Sequence, residues 1–351
     1  MAAPIISIDG SQGEGGGQIL RTAVGLAAAL GHPVRIHDIR ANRPVPGLRP
    51  QHLAAVRAAA LVCGGELVGD EIGSRELTFR PGAVTPGQYR FDIGTAGSTS
   101  LVCQTVLPAL LLAAGDSSVT VTGGTHNPMA PCFEYLQRVF GVLISVANAE
   151  TYFEMVRPGF YPAGGGELRM DVRGLDGREN VSPLRFTGRG DLKYVEGVSA
   201  VSVGLADHVA ERQTQQVLGQ LAKEGLTGSV EQATWRTDSP GTMVFMRAVF
   251  ARSVAGFFSL GKRGKPAERV ADEAVLPLID FLNSSGAVDC RAADQLLPPA
   301  AVCLEESRFR TDRITRHLLA NAAIVEQLTA RPVRIEGQAE QPGEVIVEGL
   351  Q

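Results

Sequence analysis

One order of elements recurs three times along this chain, and a recurring unit restricts the fold more tightly than composition can. An apolar helix, GQILRTAVGLAAALG, precedes an alternating strand, HPVRIHDIRANR, and a second helix, PQHLAAVRAAALVCG. A hairpin-like pair, GELVGDEIGSRELTFRPG, closes the unit. The order returns as TSLVCQTVLPALLLAAG, SSVTVTGGTHNP, PCFEYLQRVFGVL and a hairpin over 142–172. It returns again as ADQLLPPAAVCLE, SRFRTDRITRH, LLANAAIVEQLTA and PVRIEGQAEQPGEVIVEGL. Helical period in the apolar runs and period-two alternation in the strands support each assignment. Units of this kind are common, so one match could be coincidence. Three in the same order, two with Leu-Pro at Leu107-Pro108 and Leu297-Pro298, weigh against it.

The expected fold is therefore α+β, three tandem helix–strand–helix–hairpin repeats with one interruption. From about Leu184 to Gly261 the pattern breaks into LKYVEGVSAVSVG, a long polar helix and further strands. That segment, 184–261, reads as a small inserted α/β domain, and 1–183 with 262–351 as the repeat core. The helix PAERVADEAVLPLIDFLNSSG is expected to return the chain to that core.

The totals fit a soluble globular protein: 351 residues, 44% hydrophobic, 20% charged and one Trp. A net charge of -4 gives no global field for nucleic acid, so any basic surface has to be local. The five cysteines (Cys63, Cys103, Cys132, Cys290 and Cys303) form no CxxC pair and read as buried reduced thiols. The start MAAPIISIDG lacks the basic and apolar regions of a signal peptide, and TVLPALLLAA is too short to span a bilayer. A cytoplasmic location is expected, with no membrane partner.

Repeat differences point to chemistry. The strand tips DIRANR, GGTHNP and ITRHL place Arg40, Arg43, His126 and His317 at turns, where binding groups collect. Between Arg35 and Arg57 lie five arginines (Arg35, Arg40, Arg43, Arg49 and Arg57) with His37 and His52, against Asp38 alone. Most charge runs are solvated faces. On an otherwise acidic chain, at a turn containing Pro44, Pro46 and Gly47, a phosphate or RNA-backbone site is as good a reading. The run DGSQGEGGGQILR follows a strand-like PIIS, yet it lacks the Gly-Lys-Ser/Thr ending of a triphosphate loop and the GxGxxG spacing.

Taken together, DGSQGEGGGQILRTA, IRANRPVPGLRPQHLAAV, GSTSLVCQTVLPALL, FYPAGGGE, HVAER, GKRGKPAE, ADQLL and ITRHLLAN resemble the RNA 3′-terminal phosphate cyclases over essentially the whole chain. The resemblance implies three tandem βαβαββ-type repeats with a small insert. It also implies three steps: a histidine takes AMP from ATP, AMP passes to an RNA 3′-phosphate, and the vicinal 2′-OH closes a 2′,3′-cyclic phosphate. Mg2+ or Mn2+ would assist, the partner would be RNA with a 3′-phosphate end, and a homodimer is compatible with the family.

By the same resemblance, His317 is the nucleophile, a role that neutral imidazole suits near pH 7. Taken alone, a helix-start histidine would read as a local packing group. The glycine loop would hold metal and phosphates, with Glu14 as metal ligand and Arg21 countering phosphate charge. Arg40, Arg43, Gln51 and His52 would contact the RNA terminus and phosphate. Gln104, Pro131 and the run Arg291, Ala292, Ala293, Asp294 and Gln295 would form the nucleotide site. Asp294 reads almost equally well as a buried structural carboxylate, and His126 and His208 receive no role. Two positions depart from the family: Arg291 stands where a tyrosine commonly stacks on adenine, and HLLAN replaces HLLTN, so Ala320 lacks a hydroxyl. Guanidinium can also stack. The rivals are a non-catalytic, ribosome-assembly branch that lacks the nucleophile and an enolpyruvyl transferase, whose loops GTAGSTS faintly suggests.

Overall fold

The computed structural model describes residues 4–13, 15–206 and 208–350. Its helices and four four-stranded sheets make a mixed α+β fold. The first sheet contains β1 (Ile6–Asp9), β2 (Val34–His37), β3 (Glu66–Val68) and β4 (Leu77–Arg80), in the order β1-β2-β4-β3. β1 and β2 are parallel, which requires a crossover; α1 (Gly17–Leu30) supplies it. α1 is rich in alanine and ends on Gly31, whose φ of 72° suits glycine and lets its N–H bond Ala27 O. α2 (Pro50–Val62) then leads into the antiparallel β3 and β4.

The second sheet repeats this arrangement with β5 (Gln88–Asp92), β6 (Ser117–Gly123), β7 (Thr151–Arg157) and β8 (Gly166–Val172), in the order β5-β6-β8-β7. α3 (Thr99–Leu111) joins the parallel pair, capped by Ser98 Oγ accepting from Leu101 N–H. The next helical stretch runs through α4 (Phe133–Tyr135), a π turn at Leu136–Phe140 and α5 (Gly141–Ile144). The hairpin expected over 142–172 thus starts only at Thr151. Leu143 and Ile144 bury themselves on the helix instead.

β9 (Arg185–Phe186) begins a third sheet, and the chain then leaves it. It forms β10 (Leu192–Ser202), α6 (His208–Lys223), β11 (Ser229–Trp235), β12 (Thr242–Phe250), β13 (Val254–Leu260) and α7 (Ala267–Leu282). The four strands make their own sheet, ordered β11-β10-β12-β13. The chain returns through α8 (Cys290–Val302), β14 (Ser307–Thr311), α9 (Arg316–Thr329), β15 (Val333–Gly337) and β16 (Gly343–Val347). The third sheet is ordered β15-β16-β14-β9, with β9 parallel to β14.

Two apolar clusters form, and the inserted sheet contributes to both: Val198, Ala200, Met243 and Phe245 to the large one, Val244, Met246 and Phe257 to the smaller. Phe186 is buried against the large core, as Leu184 is, and pairs in register with Phe309. α7 does not join that core: Val270, Ala274, Leu278 and Phe281 pack with Val244, Met246 and Phe257 of the inserted sheet. In the large core, α1 packs on α2, α3, α8 and α9. At Gly25 a Cβ would stand 2.5 Å from Thr105 O, so glycine permits the close approach of α1 and α3. All five cysteines are free and buried, and no helix among the described residues is long and apolar enough to cross a membrane.

Candidate active site

A cleft of about 930 Å³ opens where the first turns of α1, α2, α8 and α9 meet, with the β13–α7 turn as its far wall. Helix N-termini present unsatisfied N–H groups and partial positive charge, so their convergence favours an anionic occupant. The lining among described residues includes eight arginines and lysines against two carboxylates, Glu273 and Asp294. The chain as a whole is acidic, so the fold has concentrated its positive charge here.

His317 stands in the first turn of α9, 41% exposed, with Nδ1 3.9 Å from Asp294 Oδ2. That distance is an ion-pair approach, longer than a hydrogen bond. The α9 cap organises it: Thr315 Oγ1 accepts from Leu318 N–H and donates to Asp294 Oδ1 at 3.1 Å. Asn321, one turn further along α9, donates to Asp294 O at 3.2 Å and accepts from Thr22 Oγ1 at 2.9 Å. Gln18 Nε2 approaches His317 O at 3.5 Å. α1, α8 and α9 are thereby joined around one imidazole.

The α1–α2 wall carries Arg21, Arg40, Arg43, Gln51 and His52. Burial pushes the Arg21 guanidinium down to about 10, still fully charged at neutral pH. Burial, reinforced by Arg21, Arg40 and Arg49, pushes His52 down to about 3, so its imidazole is neutral. Its Nδ1 accepts from Arg49 N–H at 3.3 Å, which leaves Nε2 as the protonated nitrogen. A Cβ on Gly17 would come within 2.0 Å of that Nε2, so glycine is required where His52 crosses the start of α1. Gln51 Oε1 accepts from Ser98 N–H at 2.8 Å. Arg40 donates to Val45 O and Gly47 O at 2.8 and 2.9 Å, holding the turn that leads to α2.

On the other wall, Gln104 Nε2 donates to Gln295 Oε1 at 2.5 Å, joining α3 to α8. Pro131 lines the cleft beside Asn127 and Met129. The Arg291 guanidinium lies 5.1 Å from the centroid of the Phe258 ring, a cation–π stack between α8 and the inserted sheet. Ala292 and Ala293 are fully buried and do not reach the cleft; their side chains pack the core behind it. Glu14, the expected metal ligand, lies outside the described residues.

Several residues of this wall escaped the sequence reading. Asp289 is fully buried and caps α8: Oδ1 accepts from Tyr135 Oη at 2.7 Å, Arg291 N at 3.1 Å and Ala292 N at 3.0 Å. Its Oδ2 accepts from Gly256 N–H of β13 at 3.1 Å. Its signal was an aspartate directly before a helix. Phe258, Lys262 and Arg263 also line the cleft; the three cations within KRGK were the signal for the last two, and Phe258 had none. Outside the cleft, His126 is buried against Glu134 at 2.9 Å and packs with its ring tilted against Phe160 and Trp235, a packing role. Asp9, His37 and Asp38 bring ligand-type atoms within 4.8 Å of one another, but they do not line the cleft.

Residues 12–335 match the family model described as RNA 3′-terminal phosphate cyclase. A protein of that name from Methylococcus capsulatus is 44% identical over 330 residues, covering 92% of this chain and 91% of its own. One from Ralstonia nicotianae is 42% identical, covering 98% and 96%. One from the more distant Archaeoglobus fulgidus is 40% identical, covering 95% and 98%. The solved enolpyruvyl transferase NikO from Streptomyces tendae aligns with a TM-score of 0.28 at 15% identity, over 99% of this chain and 66% of its own, a likeness too slight to carry any argument. With one family model spanning nearly the whole sequence and relatives above 40% identity end to end, the chain belongs to the RNA 3′-terminal phosphate cyclase family.

Proposed function

We propose that this protein converts an RNA 3′-phosphate to a 2′,3′-cyclic phosphate with ATP as co-substrate, and that His317 is its nucleophile. The observation that carries the reading is an accessible imidazole in a cationic cleft, backed by a positioned carboxylate. Asp294 favours the proton on Nδ1 and leaves the Nε2 lone pair for attack. Nε2 forms a bond to the α-phosphorus of ATP as the bond to pyrophosphate breaks. The imidazole becomes cationic, and Asp294 offsets that charge. An oxygen of the RNA 3′-phosphate then attacks the same phosphorus, breaking the P–N bond and returning His317 to its neutral form. Finally the 2′-oxygen attacks the 3′-phosphorus, losing its proton and displacing AMP.

Arg21 and the helix N-termini would hold phosphate oxygens, Arg43 with Gln51 and neutral His52 the RNA end, and Arg291, Gln104 and Gln295 the nucleotide. Arg40 would act through the 45–47 turn that it bonds. A divalent ion takes hard oxygen ligands. Of the two described cleft carboxylates, Glu273 is engaged by Lys265 and Arg269, which leaves Asp294 to serve such an ion, together with Glu14 if it takes the role that the family resemblance implies. Such an ion would neutralise developing phosphate charge.

The same strand order in three sheets supports one unit written three times. The packing of α7 supports an inserted unit over 192–282 rather than 184–261. Incubation with α-labelled ATP and Mg2+ or Mn2+ tests the function: one AMP per chain, acid-labile and base-stable, should appear on His317. Full labelling of His317→Ala would refute the assignment. Arg43→Ala should weaken cyclisation while sparing self-labelling.

A further inference from the structure

We propose that the 261–265 turn of the inserted unit is a phosphate-binding arm, in which Lys262 and Arg263 hold phosphate oxygens of a polyanion lying across the cleft. The inference rests on the function proposed above. The turn links β13 to α7 and faces the cleft that His317 also lines. Its cations divide into two sets. Lys265 is nearly buried and structural: Nζ donates to Ser259 Oγ at 2.8 Å, to Leu260 O at 3.0 Å and to Glu273. Arg269 pairs with the same carboxylate at 3.2 Å. Lys262 and Arg263 are exposed, and among the described residues neither side chain has an acidic partner or a hydrogen bond.

The backbone of the arm is fixed, which separates it from an ordinary charged loop. Lys265 N–H bonds Lys262 O at 2.9 Å, and Gly261 N–H bonds Thr242 O at 2.7 Å. Gly264 takes a φ of 81°, the conformation that closes the turn. One buried cation therefore anchors a turn that holds two unneutralised cations over the cleft. Two cations held over a cleft without a protein counter-charge raise the local potential and favour the approach of an anion. The two sources of such oxygens are the outer phosphates of the nucleoside triphosphate and the phosphodiester backbone of the RNA, upstream of its 3′ end.

The test is the double variant Lys262→Ser/Arg263→Ser, with Lys262→Gln as a milder second variant. One arm measures self-labelling against ATP concentration. The other measures binding of a 3′-phosphorylated dinucleotide and a 15-mer by fluorescence anisotropy at several salt concentrations. If the triphosphate is held, KM for ATP rises by about tenfold or more. If the RNA backbone is held, the 15-mer weakens, the dinucleotide does not, and the slope of log affinity against log salt falls by about 1.4, roughly 0.7 for each phosphate released. Unchanged ATP and 15-mer parameters within twofold in both variants would overturn the proposal. Wild-type protein that binds the 15-mer but never labels itself would refute the nucleophile and leave the arm to be judged on binding.

Discussion

His317 Nδ1 faces Asp294 Oδ2 across 3.9 Å, while the other oxygen of that carboxylate is held by Thr315 Oγ1 at 3.1 Å. The residue that caps α9 therefore also sets the carboxylate that addresses its histidine. Asp294→Asn keeps the shape and removes the charge that offsets an imidazolium. It should slow enzyme–AMP formation by about tenfold or more, roughly 1.4 kcal/mol of barrier, with little change in KM for ATP. Single-turnover labelling measures both parameters. A wild-type rate in Asp294→Asn would make Asp294 structural only.

Thr315→Ala should act on stability and rate together. It removes a helix cap, a loss of about 1 kcal/mol, and releases Asp294 from one of its bonds. Thr315→Ser keeps the hydroxyl and should restore both, which denaturant titration and labelling of the three proteins will show.

Asp289 joins α8, Tyr135 and β13, so it supports the nucleotide wall from behind. Its burial raises its carboxyl above the usual range, against four donors that favour the ionised form. Asp289→Ala would leave those donors without their acceptor and should destabilise the fold by about 3 kcal/mol or more. Tyr135→Phe removes one bond and should cost about 1 kcal/mol. Denaturant midpoints at constant slope check the ranking.

Arg291 over the Phe258 ring puts a planar cationic group in the lining of the cleft. Arg291→Lys keeps the charge but loses the plane. If stacking positions the base, Arg291→Lys should raise KM for ATP nearly as much as Arg291→Ala, and Arg291→Tyr should restore it. Rescue by lysine alone would mean that charge, not the planar surface, is what the nucleotide uses.

The pH dependence of folding should carry a signature of His52. Its folded value, about 3, lies below the ordinary 6.5. As pH falls from 6.5 toward 3 the unfolded chain binds a proton that the folded chain does not, so stability is lost on acidification. The limit from this one group is about 1.4 kcal/mol per pH unit. Asp312 acts oppositely: burial and Asp289 raise it to about 6, so its contribution is lost as pH rises from 3.8 through 6. His52→Asn can still accept from Arg49 N–H, and it should flatten the acid-side loss seen in denaturant titrations between pH 4 and 6.5. An unaltered profile would place the protonated histidine comfortably within the fold.

The order of helices and strands and the helix start at His317 were legible because each is a local property. Side-chain periodicity and capping residues depend on neighbours a few positions away. Even local readings failed where one apolar run suits two conformations, as at Leu143 and Ile144. The partners were another matter. α7 shows an apolar stripe in its sequence, yet nothing in it says whether that stripe meets the repeat core or the inserted sheet. Only shape complementarity with Val244, Met246 and Phe257 decides that. The same holds for the site: Gln104 meets Gln295 across 191 positions, Arg291 finds Phe258, and Asp289 ties α8 to β13. These contacts depend on how helices from separate units pack at their N-terminal ends, a free energy of burial and hydrogen bonding that exists only once the whole chain has closed.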